Sequence, residues 1–524
     1  MAKKSSTPSF VVERKMILKP DEYHYLESRM DIIHRIYNAG VKHYRKVLKS
    51  FNSDILFVDA FEKIQELYKQ QKRVNKEDIV TLESLNNQIK EQWNIIHNLA
   101  KQYKLTDYAV QDYVKATMQL SYKGSLHTHI VQKLGKDLYK GIEKCIVTPN
   151  RILHYRKKGQ TTSFENKKAT TGIRYNKEKD MVEFGKNFNR KVRLKTIRQK
   201  DIYLQEAMQR KIKYCRIVRK PFGKGYRYFV QFVMEGTPPK KLRAVGKGKL
   251  GTDLGVSTVA YSNDKTARFV QLAEDIERYD KQLKRLSRQV ERSIRLNNPD
   301  CYDENGVAIK GKRPTVRTKG YNRAVMKLKT IYRKRSEFIL LSHRTLANQI
   351  ASIADTVILE PMNYKGLQKK VKETKRQQHS SVIKDKQENN KTIHKYKRKK
   401  RFGSSIVKRA PALFVTILKQ KVTVLEVNST KYKASQYNHI TKEATKSLLG
   451  DRTKFIDNHL VQRDLYSSFL LYNIKDNETI DFDACDKNFS HFLELQQQVV
   501  EEIKTKGDTT KNFGSKDFVT YENK

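Results

Sequence analysis

The sequence predicts a multidomain α+β protein: a small basic β domain, a helical segment inserted after its first strand, and a second, α/β domain. Three observations carry this. The chain has 524 residues, about three to four domain-sized units. Proline is absent from 21 to 148, and there apolar residues such as Leu26, Met30 and Ile33 recur at three- and four-residue steps. On either side of that stretch, short β-like runs are punctuated by glycine and proline.

The elements follow in order. Ser9 to Leu18 has strand character. Lys19-Pro20-Asp21 ends it and starts a helix, with Asp21 as the expected N-cap. Helices are expected from 22 to 144. Strands are expected at 144–147, 151–155, 163–164, 172–175 and 181–184. Ile212 to Val218 and Tyr226 to Val233 flank Pro221-Phe222-Gly223-Lys224-Gly225 and read as a hairpin. Gly246-Lys247-Gly248-Lys249 is the joint to the second domain. It opens with the strand Leu250 to Val256, and a strand pair is expected to about Leu272. Helices are expected at 274–295 and 320–354, and a buried strand at Val357 to Glu360. Residues 365–401 are Lys-dense and apolar-poor and read as a mobile basic lid or linker. A helix, the strand Val422 to Val427 and a helix beginning near Val461 complete the pattern.

Composition narrows the function. The chain carries 108 Lys+Arg against 56 Asp+Glu, a net charge of +52. That excess argues against a small-molecule enzyme and asks for a polyanion, with nucleic acid ahead of an anionic membrane surface. No run approaches the roughly 20 apolar residues of a spanning helix, so no membrane partner is expected. Cys145, Cys215, Cys301 and Cys485 have no near neighbours, which excludes a CxxC clamp and argues against a disulfide framework. The basic N-terminus is followed by no apolar h-region, so a cytoplasmic protein is expected.

Three acids stand in telling places. Asp253 lies inside an otherwise apolar strand, Glu360 ends another, and Asp464 opens the apolar helix Leu465 to Tyr472. A lone acid ending a strand is ordinarily a cap or a surface group. A carboxylate in a buried strand, however, is costly unless it is paired or bound to a metal. Three converging carboxylates would bind hard divalent cations, and two Mg²⁺ roughly 4 Å apart can drive phosphodiester cleavage. The order is Asp, Glu, Asp; strand transferases of the related transposase class use Asp, Asp, Glu.

Leu250-Gly251-Thr252-Asp253-Leu254-Gly255-Val256 resembles the first motif of a RuvC-type RNase H fold. Val357-Ile358-Leu359-Glu360-Pro361-Met362-Asn363 resembles the second, and Val461-Gln462-Arg463-Asp464-Leu465 onward the third. Together they resemble TnpB, the transposon-encoded RNA-guided nuclease, and its descendants, the type V CRISPR effectors, over almost the whole chain. The resemblance implies a wedge-like basic β-barrel at 1–21 and 145–245, a helical recognition domain at 22–144, and a RuvC-like nuclease domain at 246–524. Within the last it implies a helical insertion at 271–354 and a basic lid at 365–402. It also implies an RNA-guided DNA endonuclease acting at one site, with Asp253, Glu360 and Asp464 holding two Mg²⁺, for which Mn²⁺ can substitute. The implied partners are a guide RNA, transposon-derived or CRISPR RNA, and double-stranded target DNA with a short adjacent motif, in a bacterial cytoplasm. The alternative is an RNA-guided DNA-binding repressor with weak or no cleavage.

The sequence departs from the family at 428–460, where a four-cysteine zinc ribbon is usual. Ala434-Ser435-Gln436 is present, but no cysteine appears before Cys485, and His439 and His459 stand alone. Structural zinc needs four Cys/His ligands, so none is expected. The C-terminal extension at 475–524 has no counterpart in the core family. For nucleic-acid contact the sequence offers basic residues beside tyrosines: Tyr155, Arg156 and Lys157, Arg227, and Lys397 with Arg398. Arg463 is a candidate phosphate contact or a plain surface arginine. The basic β domain is the expected guide-scaffold surface, and the helical insert is expected to flank the guide–target duplex.

Overall fold

The structure is a computed structural model that describes residues 8–75, 77–239, 245–304, 306–368, 376–384, 390–396, 403–428, 433–445, 451–475, 479–505 and 513–522. The chain divides into two units, Met1–Lys241 and Leu242–Lys524.

The first unit opens with β1 (Ser9–Lys15) and then enters α1 (Pro20–Asn52), α2 (Ile55–Gln71), α3 (Ile79–Gln102), α4 (Asp107–Ser121) and α5 (Thr128–Val147). The N-cap of α1 is Lys19, not Asp21, because Pro20 takes the first helical position, where its missing N–H costs nothing. Glu22 then reaches back to accept the Lys19 N–H at 2.8 Å. Asp54, Asp78 and Thr106 cap α2, α3 and α4 through their side-chain oxygens. The apolar stripe Leu26, Met30, Ile33, Tyr37 and Val41 of α1 is buried together with Leu134, Leu138 and Ile142 of α5. The run 144–147, expected as a strand, is the last turn of α5. Cys145 and Ile146 continue the helical stripe into the core, and that burial outweighs the β-branched local preference. Residues 151–155 form no strand either. They lie along α1, where Arg45 Nε donates to the Leu153 carbonyl at 2.6 Å and Asn38 brackets the Arg156 backbone at 2.9 Å on both sides.

The β part comprises β2 (Ser163–Glu165), β3 (Ile173–Asn176), β4 (Met181–Phe184), β5 (Arg190–Arg193), a short α6 (Ile202–Gln209), β6 (Ile212–Phe222) and β7 (Gly225–Glu235). One antiparallel sheet has the order β1-β7-β6-β2 and a second has β3-β4-β5. A Met16–Leu194 bridge continues β1 onto the chain just past β5. The expected barrel does not close: among the described residues β2 and β3 share no ladder. The fully buried Asn166 spans that gap. Its Nδ2 faces the carbonyls of Lys168, Thr171 and Ile173 at 2.5–2.7 Å, and its Oδ1 accepts the Cys215 N–H at 2.8 Å. One side chain thus satisfies backbone groups that a closed ladder would have paired.

The second unit contains β8 (Lys249–Leu254), β9 (Thr258–Ser262), β10 (Ala267–Gln271), α7 (Glu277–Leu296), α8 (Lys319–Ile353) and β11 (Thr356–Leu359). Next come α9 (Tyr364–Gln368), the paired β12 (Arg376–Lys384) and β13 (Asn390–Tyr396), α10 (Gly403–Arg409), α11 (Pro411–Leu418) and β14 (Thr423–Glu426). The segment read as a lid or linker therefore contains a short helix and a β-hairpin. The chain continues through the small hairpins β15 (Tyr437–Asn438) with β16 (Glu443–Ala444) and β17 (Thr453–Ile456) with β18 (His459–Gln462). Then follow α12 (Arg463–Tyr472), β19 (Ile474–Lys475) with β20 (Thr479–Ile480), α13 (Phe482–Thr505) and α14 (Ser515–Glu522). Val461 belongs to β18, so the third-motif helix starts two residues later than expected.

The central sheet has the order β10-β9-β8-β11-β14, with β8, β11 and β14 parallel and the β8-β9-β10 meander antiparallel. Successive side chains of a strand point to opposite faces. Val357 and Leu359 accordingly pack with Leu346, Ile350 and Phe414 of α8 and α11, whereas Ile358 joins Leu465, Phe469, Phe489 and Phe492 of α12 and α13. The result is a sheet covered by helices on both faces, which is why its strands read as near-continuous apolar runs.

Asn166→Ala leaves buried backbone groups without partners, each costing about 1–3 kcal/mol. It is expected to lower the urea midpoint of the first unit by an amount worth at least about 3 kcal/mol. An unchanged midpoint would show that the Asn166 amide does not bridge the open sheet.

Candidate active site

Asp253 is the penultimate residue of β8, and Glu360 follows the last residue of β11. The parallel register sets Thr252 beside Leu359, so the next residues, Asp253 and Glu360, stand beside each other at the carboxyl ends of adjacent strands. That is where open α/β sheets place their ligands. The third acid arrives on α12. A Cβ at Gly251 would collide with the backbone of Ser468 and Tyr472, so only glycine lets α12 lie this close to β8. Ser262 and Ser468, buried and small, meet through their hydroxyls at 2.8 Å along the same contact. This close packing sets Asp464, in the first turn of α12, toward the ends of β8 and β11.

The electrostatics of the site centre on Asp253. Burial, then the charges of Asp464 and Glu360, push the Asp253 carboxyl well above the usual carboxylate range, opposed by Arg463 and Ser467. Burial also raises Glu360, whose Oε1 accepts the Ala434 N–H at 2.9 Å. The Ala434-Ser435-Gln436 stretch is thereby tied directly to the second acid. Tyr364 is raised by burial and by Asp253. Asp464 Oδ1 accepts from Arg463 Nε at 3.1 Å and Nη2 at 3.0 Å. Arg463 Nη1 also donates to the Asp451 carbonyl at 2.8 Å. Arg452 and Lys454 crowd the same side. Burial and the Arg463 charge lower both, and the Lys454 ammonium is brought to about 7.

Among the described residues no three His, Cys, Asp or Glu side chains are gathered tightly enough to hold a metal ion. Arg463 holds Asp464, and the Ala434 N–H holds Glu360. The donor set nevertheless fits a hard divalent cation: carboxylate oxygens alone, with Asp253 set among like charges that an added cation would relieve.

The 428–460 position and the C-terminal extension are explained together. His439 is fully buried; its Nδ1 lies 2.6 Å from Tyr466 Oη, which also accepts the His439 N–H at 3.0 Å. Phe489 meets the His439 ring edge-on at 4.6 Å, and Phe469 and Phe492 lie 4.6 Å apart beside them. Lys454 sits 4.2 Å over the Tyr466 ring. Phe489 and Phe492 come from α13, within the extension. From the same helix, Gln496 donates to the Leu460 carbonyl at 3.0 Å and accepts the Gln462 N–H at 2.8 Å. Gln462 in turn caps α12 by accepting the Leu465 N–H at 2.7 Å. An aromatic core and a buried glutamine pair therefore hold the Asp464 helix. Sequence reading missed Gln462, Gln496 and the Ala434 N–H. Only Gln462 carried a signal, as a polar residue at the N-cap position.

The other candidates lie in the first unit or outside the described residues. Arg45 sits 4.5 Å over the exposed Tyr155, Arg156 lies 3.7 Å over Tyr37, and Arg227 lies 4.3 Å over Phe222. Lys157 is exposed, its N–H bonded to Gln160. Lys397 and Arg398 lie outside the described residues.

No protein-family model and no curated protein matches the chain. Among solved structures, the chain is similar to the protein of a Cas12f1–sgRNA–target DNA complex determined by cryo-EM. That likeness has 10% identity and a TM-score of 0.37, covering 89% of this chain and 99% of that one. It is also similar to a CRISPR-Cas12f ternary complex, at 12% identity and a TM-score of 0.24, covering 88% of this chain and 86% of that one.

In EDTA, Asp253→Asn is expected to melt above the wild type by roughly 2–4 °C, the shift for about 1 kcal/mol in a large domain, because it removes a carboxyl whose ionised form is disfavoured by burial and by the neighbouring acids. Millimolar Mg²⁺ is expected to raise the wild-type melting temperature and leave that of the variant in place. Scanning fluorimetry reads both. A variant that melts lower in EDTA would show that Asp253 is not under like-charge tension.

Proposed function

We propose that the chain is an RNA-guided DNA endonuclease that cuts target DNA beside a short protein-read motif, at a single RuvC-type site. The observation that carries this is the register placing Asp253 and Glu360 on adjacent strand ends, with Asp464 brought to them by the close packing of α12. The net charge of +52 supplies the second support, since guide and target are both polyanions. We propose the first unit as the surface for the guide scaffold and for the guide–target duplex. In such a system base pairing supplies sequence and the protein reads shape and the short motif.

Asp253, Glu360 and Asp464 would hold Mg²⁺, with Mn²⁺ a substitute, which would supply activation of the attacking water and stabilisation of the leaving oxygen. The rest is the work of this chain's own side chains. Arg463 orients the Asp464 carboxylate, and the Ala434 N–H orients that of Glu360. Arg452 and Arg463 put positive charge beside the acids, where a scissile phosphate gathers negative charge. Burial and the neighbouring acids disfavour the ionised form of Asp253, and a bound cation would favour it.

The test begins with protein purified from cells carrying its native locus. The co-purifying RNA is sequenced, and the particle is challenged with a matching plasmid library in Mg²⁺ or EDTA. A discrete RNA and Mg²⁺-dependent cuts beside a fixed motif are expected. Asp253→Ala, Glu360→Ala and Asp464→Ala are each expected to lower cleavage at least about 10³-fold while target binding in EDTA stays within about twofold. Cleavage that survives all three substitutions would remove the assignment. Tight guided binding with no cuts from the wild type would establish a repressor instead.

A further inference from the structure

Helix α7 has two faces that do different things. Leu283, Leu286, Val290 and Ile294 form the apolar stripe expected of a helix lying on a partner. Opposite them, Lys281, Lys284, Arg285, Arg288, Arg292 and Arg295 fall within an arc of about 100°, spanning ~21 Å along the axis. All six are exposed and border one shallow depression. The helix does carry acids, but these are engaged. Glu277 pairs with Arg409 at 2.6 Å, Asp280 with Arg335 and Lys408 at 3.2 Å, and Glu291 with Arg295 at 2.7 Å. Among the described residues, Lys281, Lys284, Arg285, Arg288 and Arg292 have no acidic partner. Five like charges at helical neighbour spacing repel one another, which costs stability unless something anionic covers them.

We propose that this ladder is a docking surface for the sugar–phosphate backbone of a nucleic-acid duplex. Two features choose the occupant. A duplex is a stiff rod with a phosphate charge about every 1.7 Å of axis, so a straight row of cations ~21 Å long can lie along it and meet the phosphates on one side. Among the described residues, the six cations have no aromatic side chain interleaved with them on α7: Tyr279 turns inward onto Phe338, and Tyr302 lies under Arg295 at the far end. A rigid basic helix without stacking platforms takes backbone without reading sequence. The proposal rests on the nucleic-acid reading of the whole chain and adds to it a duplex surface in the second unit.

The test uses full-length protein freed of RNA, in EDTA, with fluorescence anisotropy between about 50 and 200 mM salt. The probes are a ~20-base-pair DNA duplex, an RNA–DNA hybrid of the same length, and the single DNA strand. The quadruple variant K284Q/R285Q/R288Q/R292Q is expected to flatten the slope of log K against log salt by about 3 on a duplex probe. A control that removes the same charge elsewhere in the unit, K265Q/K442Q/K475Q/K487Q, is expected to change it by less than about 1. The charge-preserving R285K/R288K/R292K is expected to keep the wild-type slope, and a melting curve checks that each variant is folded. A loss on the DNA duplex or on the hybrid supports the ladder and names which duplex it holds. Equal slopes for the ladder variant and the control overturn it while leaving the nuclease proposal standing. A loss greater on the single strand than on either duplex overturns the duplex assignment. Wild-type protein that binds none of the probes overturns the ladder, whereas the nuclease proposal stands or falls on the guided cleavage assay.

Discussion

The second unit depends on one backbone-to-backbone contact. Helix α12 lies on β8 at Gly251 closely enough that a methyl group would not fit. That approach carries Asp464 to the strand ends where Asp253 and Glu360 already stand. It also sets up a tension, since burial and the charges of Asp464 and Glu360 raise the proton affinity of Asp253. Arg463 and the Ala434 N–H hydrogen-bond the other two acids. A divalent cation, as proposed for this site, would relieve the tension on Asp253.

The helix bearing the third acid needs firm support, and the chain supplies it from its C-terminal end. Where the resembled family has a metal ribbon, this chain has a buried histidine, Tyr466, and the phenylalanines of α12 and α13. Apolar burial is non-directional, so by itself it would set α12 only loosely. The Gln462–Gln496 pair adds direction, because its hydrogen bonds have one satisfactory arrangement.

Charge is divided in a similar way. On α7, Glu277 and Asp280 are paired to neighbouring elements and fix the fold, Asp280 through Arg335 and Lys408. The cations left over face outward. Net charge therefore describes the partner, while the paired minority of charges describes the architecture.

The sequence by itself determined the α+β class, the helical segment, the central strands and the three acids with their chain order. These are local facts: helical periodicity over many turns, apolar runs in a doubly covered sheet, and a carboxylate where an apolar residue would be expected. What it misjudged depended on distant partners. The 144–147 run resembles a strand until the α5 core claims Cys145 and Ile146. The barrel was expected from resemblance, but closure needs a β2–β3 ladder, and Asn166 takes that place. Where the three acids would stand was also undecided, since it depended on the parallel β8–β11 register and the fit of α12 against Gly251. The support of α12 by residues near the C-terminus was invisible for the same reason. Such contacts join positions tens to hundreds of residues apart, and only tertiary packing selects among the pairings that local sequence leaves open.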